Sequence, residues 1–150
     1  MKKNEAITPY FEDGKFAGVR VIIRNEDFVI APNNYTNGKK MTLRNAKDAI
    51  KTENLDTWNY RQVCLTMAYR KEIDKVLKDN GGDKLNGLYW VNDMYGSLTY
   101  CYDGELGILD YMSYDDTYYL RLIKNLKNEN NLCYQNSRKP FNWLSRIFKP

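Results

Sequence analysis

Between residues 16 and 32 the chain reads FAGVRVIIRNEDFVIAP, and apolar side chains recur there at alternate positions. Val19, Val21 and Ile23 fall on one face of an extended segment, with Arg20 between them, so that face is buried. Asn25-Glu26-Asp27 supplies a turn, Phe28-Val29-Ile30 a return strand, and Pro32 a stop. The period then changes. In MTLRNAKDAIK, Leu43, Ala46, Ala49 and Ile50 share one helical face behind Thr42, an N-cap residue, which predicts a helix over about 43–51. Ala68, Tyr69, Ile73, Val76 and Leu77 make a second stripe, with Arg70, Lys71, Asp74, Lys75 and Lys78 on the other side. Thr66 is the N-cap candidate for that helix. Gly81-Gly82 is its stop, because glycine accepts the left-handed conformation just past a helix end. Residues 52–63 read as an irregular link in which Trp58 anchors into the core. Val63-Cys64-Leu65 reads as either a short buried strand or a turn into the second helix.

From residue 88 the pattern is strand-like. LYW (88–90) is a short apolar strand and NDMYG turns. SLTYCYD (97–103) and ILDYMSY (108–114) flank Gly104-Glu105-Leu106-Gly107, which is a hairpin signal. Asp115-Asp116 turns again, and TYYLRLI (117–123) is the closing strand. Residues 1–15 are a polar lead-in punctuated by Pro9 and Gly14. Residues 124–139 are an asparagine-rich polar linker. Residues 140–150 regain amphipathic character, and Pro140 suits a first helical turn. The prediction is an α+β domain over 16–123, two helices packed on antiparallel hairpins, followed by a basic C-terminal tail.

Charge changes this picture in one respect. The chain carries +4 overall, yet residues 121–150 hold seven basic residues and one acid, while the other 120 residues hold 16 basic and 18 acidic groups. The basic character belongs to the tail, whereas a nucleic-acid-binding domain shows a basic face on its body. The chain has 150 residues, 43% of them hydrophobic, which suits one globular domain. Thirteen tyrosines are many for this length; they serve either as strand-fillers or as contact residues with a polar tip.

Candidate chemistry is sparse. Histidine is absent, which removes the commonest general base and the commonest zinc ligand. Cys64, Cys101 and Cys133 are odd in number and lack CxxC spacing, so a reducing compartment is expected. MKKNEAITPYFEDGKF has no apolar core of a signal peptide, so secretory export by that route is not expected. The expected location is the cytoplasm or a virion. Asp115-Asp116 reads as a solvated turn and Gly104–Gly107 as a meander turn, not a phosphate loop.

The order hairpin, helix, helix, double glycine, YW strand and meander resembles the bacterial and phage branch of the C-type-lectin-like fold. That branch includes formylglycine-generating-enzyme-like domains and the variable proteins of diversity-generating retroelements. MTLRNAKDAI (41–50) is similar to its M-T-W-x-x-A helix, LTMAYRKEIDKVL (65–77) to L-P-T-x-x-E-L, GGDKLNGLYW (81–90) to G-G-x-x-x-x-G-x-Y-W, and YYLRLI (118–123) to Y-V-R-P-V. Leu43, Met67 and Leu122 depart from it, standing where the family has tryptophan, proline and proline. The resemblance implies that residues 91–117 face the ligand. The expected ligand-binding residues are Asn92, Asp93, Tyr95, Tyr100, Tyr102, Asp103, Tyr111, Tyr114 and Asp115, since Tyr, Asn and Asp on loops suit an adaptable recognition surface. An ordinary meander with polar turns is the competing reading. Trp90-Val91-Asn92-Asp93 is faintly similar to the calcium motif of animal lectins. It has no Glu-Pro-Asn partner, and two residues cannot supply six to eight oxygens, so no metal is expected.

The expected function is a non-catalytic module that binds a protein or a glycan, with no cofactor and no catalytic residues. A phage decoration or receptor-binding role, with assembly into a particle or homo-oligomer, is its more specific form. Phe141, Trp143, Leu144, Arg146, Ile147 and Phe148 are the expected partner-docking residues, with packing on the chain's own domain as the alternative. Two other functions compete. One is a cysteine-dependent enzyme of formylglycine-generator ancestry using Cys64 or Cys101. The other is a nucleic-acid accessory protein using the basic tail.

Overall fold

The computed structural model describes residues 2–112, 116–126 and 143–148. The chain begins with β1 (Ala6–Glu12), β2 (Lys15–Ile23) and β3 (Glu26–Ile30), followed by the one-turn helix α1 (Tyr35–Gly38) and the short β4 (Met41–Thr42). Three helices follow: α2 (Leu43–Thr52), α3 (Tyr60–Ala68) and α4 (Arg70–Asp79). Then come β5 (Leu88–Tyr95), β6 (Leu98–Asp103), β7 (Ile108–Met112), β8 (Thr117–Tyr118), β9 (Ile123–Asn125) and finally α5 (Trp143–Ile147). The architecture is α+β. Among the described residues the strands form a four-stranded sheet in the order β1-β2-β3-β9, a three-stranded sheet β5-β6-β7 and the pair β4-β8, all antiparallel.

The expected first hairpin is present, with Val19, Val21, Ile23, Phe28 and Ile30 buried. The expected lead-in is not. Residues 6–12 pair along β2 as the edge strand, where Pro9 is tolerated because an edge has one side without ladder bonds. The register shifts between Tyr10 and Phe11, which face Gly18 and Phe16, so Ala17 is skipped. A bulged residue is left out of the ladder. Here the Ala17 carbonyl accepts the Trp143 indole N–H at 2.7 Å. Trp143 is 1% exposed and packs with Ala17, Val29, Ala31, Leu120, Leu122 and Ile147. Docking of Trp143 and Ile147 on a distant partner is therefore corrected: both lie in the domain's own core, because the bulge offers an unpaired carbonyl beside an apolar face. Leu144 packs on the same cluster, Arg146 is partly exposed, Phe148 is exposed, and Phe141 lies outside the described residues.

Thr42 caps α2 as expected, accepting from the Asn45 N–H at 3.1 Å. Thr66 does not cap anything. It lies inside α3, donating to the Gln62 carbonyl and accepting the Trp58 indole N–H. The helix starts earlier, at a capping box in which Asn59 accepts from the Gln62 N–H and the Gln62 side chain accepts from the Asn59 N–H. Tyr69 breaks the helical run at φ −117°, and α4 follows in a new direction, with Ile73 and Leu77 in the core. Its end is a Schellman motif. Gly81 has φ +83°, its N–H reaches the Lys78 carbonyl, and the Gly82 N–H reaches the Leu77 carbonyl at 2.8 Å. A side chain on Gly82 would come within 2.9 Å of the Pro32 carbonyl oxygen.

That close approach is held by one cation. Arg121 is fully buried. Its Nε donates to the Ala31 carbonyl at 2.7 Å, Nη1 to Asn34 Oδ1 at 3.0 Å, and Nη2 to the Pro32 and Asp83 carbonyls at 2.8 and 2.5 Å. The Asp83 N–H also donates to the Pro32 carbonyl. Burial pulls the Arg121 pKa down, while Tyr89, Asp83 and Asp74 act in the other direction. The expected closing strand 117–123 consequently divides. β8 pairs with β4, Tyr119 bridges to Tyr89, Arg121 turns inward, and Ile123 enters the large sheet beside Ile30.

Lysine cannot reproduce the planar fork. The single ammonium of Arg121→Lys cannot reach all four acceptors, and although the Pro32 carbonyl keeps the Asp83 N–H, each of the Ala31 and Asp83 carbonyls and Asn34 Oδ1 that is left unbonded costs about 1–3 kcal/mol. The expected loss is about 3 kcal/mol or more in urea unfolding of the full chain. A change below about 1 kcal/mol would show that the fork is dispensable.

Candidate functional site

The hairpin β6-β7 forms where it was expected, and β5 extends it. β5 pairs with β6 at Trp90–Cys101 and again at Met94–Thr99, so β5 carries extra residues between these points. That irregularity aims residues 92 and 93 at the segment 56–60. The Asn92 N–H donates to the Trp58 carbonyl at 2.8 Å, and its side-chain amide to Asp56 Oδ1 at 3.1 Å. Asp93 Oδ2 accepts the Tyr60 N–H at 3.0 Å, at the first turn of α3, and Oδ1 accepts the Met94 N–H. Asn92 is thus engaged in holding the fold, and Asp93 sits at the margin of the exposed surface.

Alternation along β6 sends Tyr100 and Tyr102 to the same face. Tyr102 is fully buried, edge-on to Trp58 at 5.6 Å and stacked on Tyr89 at 6.1 Å. Tyr102 as a ligand contact is therefore corrected: it is a core ring. Burial pushes its phenol up to about 12, and its hydroxyl is one of two buried polar side-chain atoms without a hydrogen-bond partner among the described residues, the other being Thr99 Oγ1. Asp103 accepts the Glu105 and Leu106 N–H groups at 3.0 and 2.9 Å and so builds the β6-β7 turn. Tyr114 and Asp115 lie outside the described residues.

Tyr95, Tyr100 and Tyr111 do come together. Tyr95 and Tyr111 stack at 5.0 Å with an interplanar angle of 14°. Tyr100 meets Tyr111 at 5.8 Å and Tyr95 at 6.2 Å. A fourth ring, Tyr60 of α3, joins Tyr100 at 5.3 Å. Tyr95, Tyr60 and Tyr111 are 58%, 46% and 45% exposed, and Tyr100 packs inward against the main core. The result is a continuous aromatic strip, solvent-facing at the end of the sheet and anchored through Tyr100 on the main core. Such rings offer large, rigid contact area with few torsions to freeze. Tyr60 was missed because residues 52–63 read as an irregular link. The Asn59-x-x-Gln62 capping box was the signal that places it on a helix.

Beside Tyr60, a pocket of about 210 Å³ is lined by Arg24, Arg61, Cys64 and Leu65. A hydrogen bond with Cys64 holds the Tyr60 phenol above its ordinary pKa, while partial burial, with Tyr111 and Tyr95 adding, raises Tyr100. Both are neutral hydroxyls at pH 7. Cys101 is buried on the opposite sheet face, and burial pushes its thiol up to about 12, with Asp110 and Asp103 adding. A thiol in that state is a poor nucleophile at neutral pH. Among the described residues no group of three or more Cys, Asp or Glu is arranged to hold a metal ion.

Asp56 ties this end to the large sheet. Its carboxylate accepts from Asn92, from Asn125 Nδ2 at 3.0 Å and from its neighbour Thr57 N–H at 2.8 Å, and Gln62 donates to Asn125. Burial raises its pKa above the ordinary 3.8, against these hydrogen bonds. The folded state therefore binds this proton more tightly than the unfolded chain. This group's contribution to stability is greatest at low pH and falls as pH rises from about 3.8 through the raised value. Urea midpoints measured across that window should move in favour of Asp56→Asn relative to the parent chain. The opposite slope would contradict the assignment.

No family model matches the chain, and no curated protein matches it.

Proposed function

We propose that the chain is a non-catalytic binding module of the C-type-lectin-like kind, which takes a protein or glycan on the tyrosine end of β5-β6-β7. The observation that carries this reading is the set of solvent-facing rings Tyr60, Tyr95 and Tyr111, joined through Tyr100, which packs on the main core. Exposed aromatic rings on a rigid sheet are costly to leave in water, and they are the side chains that dominate recognition surfaces. The element order supports the fold side of the proposal, as does the burial of Arg121, the arginine of the YYLRLI segment, against the double-glycine turn. A phage decoration or receptor-binding role is the more specific form. Assembly through the C-terminal segment would fall to Phe148, which is 49% exposed, since Trp143 and Ile147 are in the core.

A glycan array and a displayed-peptide library, both probed with the full chain, test the proposal. Tyr95→Ala/Tyr111→Ala should weaken any ligand found by about tenfold or more, with the circular dichroism and melting temperature little changed. Full retention of binding by the double variant would move the site elsewhere. Turnover of a substrate that is lost with Cys64→Ser would favour the cysteine-enzyme alternative instead.

A further inference from the structure

A depression of about 520 Å³ opens beside the double-glycine turn and the entry to β5, and none of its lining residues belongs to the exposed aromatic strip. Its side chains are rich in hydrogen-bond donors. Asn34 Oδ1 accepts from Arg121 Nη1 at 3.0 Å, which fixes the amide and leaves its Nδ2 without an acceptor among the described residues. Tyr89 is 1% exposed, and its hydroxyl end lies at Gly87 in the pocket wall, where it accepts the Gly87 N–H at 3.3 Å. The hydroxyl hydrogen itself has no acceptor among the described residues. Burial holds this phenol above its ordinary pKa, so the hydrogen is retained at pH 7. Lys78 and Lys84 are exposed in the lining, and neither ammonium forms an ion pair among the described residues.

Acceptors are few. Asp83 is the one carboxylate in the lining, and the Asn33 amide donates to its Oδ2 at 3.2 Å. Asp74, the other acid that acts on Arg121, is engaged by Arg70 at 3.4 Å and by the Leu85 N–H at 2.9 Å. Arg121 lies behind the wall as a full charge bonded to neutral acceptors, and Lys40 stands over the Tyr119 ring, which also lines the depression. The surroundings are therefore net positive. Donors whose hydrogens lack acceptors, set in a positive field, are the counterpart of an oxyanion. The volume exceeds that of a bare ion and suits a small organic molecule. We propose that this depression binds the phosphate or carboxylate group of a monosaccharide-sized ligand, with Tyr89 Oη and Asn34 Nδ2 donating to its oxygens and Lys78 and Lys84 supplying charge. This second site goes beyond the tyrosine-end reading and does not depend on it.

The full chain is titrated by calorimetry with a hexose monophosphate, glucuronate and glucose, and inorganic phosphate is added as competitor. The expected result is saturable binding of the hexose monophosphate or of glucuronate, weaker as salt rises and displaced by phosphate, with glucose silent. The tighter of the two identifies the group as phosphate or carboxylate. Lys78→Gln/Lys84→Gln, which alters exposed side chains alone, should weaken binding about tenfold, as should Tyr89→Phe, which removes a single oxygen. Tyr95→Ala/Tyr111→Ala should leave it unchanged. No saturation by either anion, glucose bound as tightly as the hexose monophosphate, or parent affinity in the lysine variant would overturn the proposal and leave the tyrosine-end reading standing. Anion binding lost in Tyr95→Ala/Tyr111→Ala and kept in the lysine variant would also overturn it, by moving the anion to the aromatic strip.

Discussion

A single guanidinium organises the irregular half of this molecule. The segments 31–34 and 81–84 have no ladder to satisfy their carbonyls, and they pack together in the interior. Arg121 donates to Ala31, Pro32, Asn34 and Asp83 at once. A buried cation is expensive unless its donors are filled, and four bonds in a fixed fork meet that condition with no ion pair to Arg121 among the described residues. The position of β5 follows. The chain leaves the Schellman turn at Gly82, passes the Arg121 anchor and enters β5, where Tyr119 N–H to Leu88 and Trp90 N–H to Tyr119 lock the sheet to the segment carrying the arginine.

Two strand irregularities then direct side chains out of the usual alternation. The bulge at Ala17 exposes a carbonyl on the second face of the large sheet, and Trp143 fills it, closing the core with residues distant in sequence. The irregularity in β5 turns Asn92 and Asp93 onto Asp56, Trp58 and Tyr60. The second one serves the surface directly, because it seats α3 so that Tyr60 reaches Tyr100. The exposed aromatic strip is thus assembled from three strands and one helix, and Tyr100 ties it to the main core.

Legibility in the sequence followed the range of the interactions. Thr42, Gly81-Gly82 and the Gly104–Gly107 turn act through neighbours a few residues away, and each was readable as a cap, a stop or a hairpin. The helix α3 was obscured because its apolar positions are few and Thr66 resembles a cap, while its true start depends on a polar pair, Asn59 and Gln62. β1 was hidden by Pro9, and its strand character comes from pairing with β2. The division of residues 117–123 depends on partners as remote as Ala31, 90 positions away, which no local period encodes. Among the tyrosines, sequence placed Tyr95, Tyr100 and Tyr111 on one end and could not separate them from Tyr102. All lie on strands of similar pattern, and only the packing of Trp58 decides which ring is inside.

The central claim is that Arg121 couples the double-glycine turn to the sheet that carries the tyrosines. Native-state hydrogen exchange on Arg121→Lys tests it most directly. The account predicts that amides of residues 81–84, Trp90 in β5 and Tyr119 lose protection together and to a similar degree, because one anchor supports all three. Loss of protection confined to 81–84, with Trp90 and Tyr119 exchanging as in the parent chain, would contradict it.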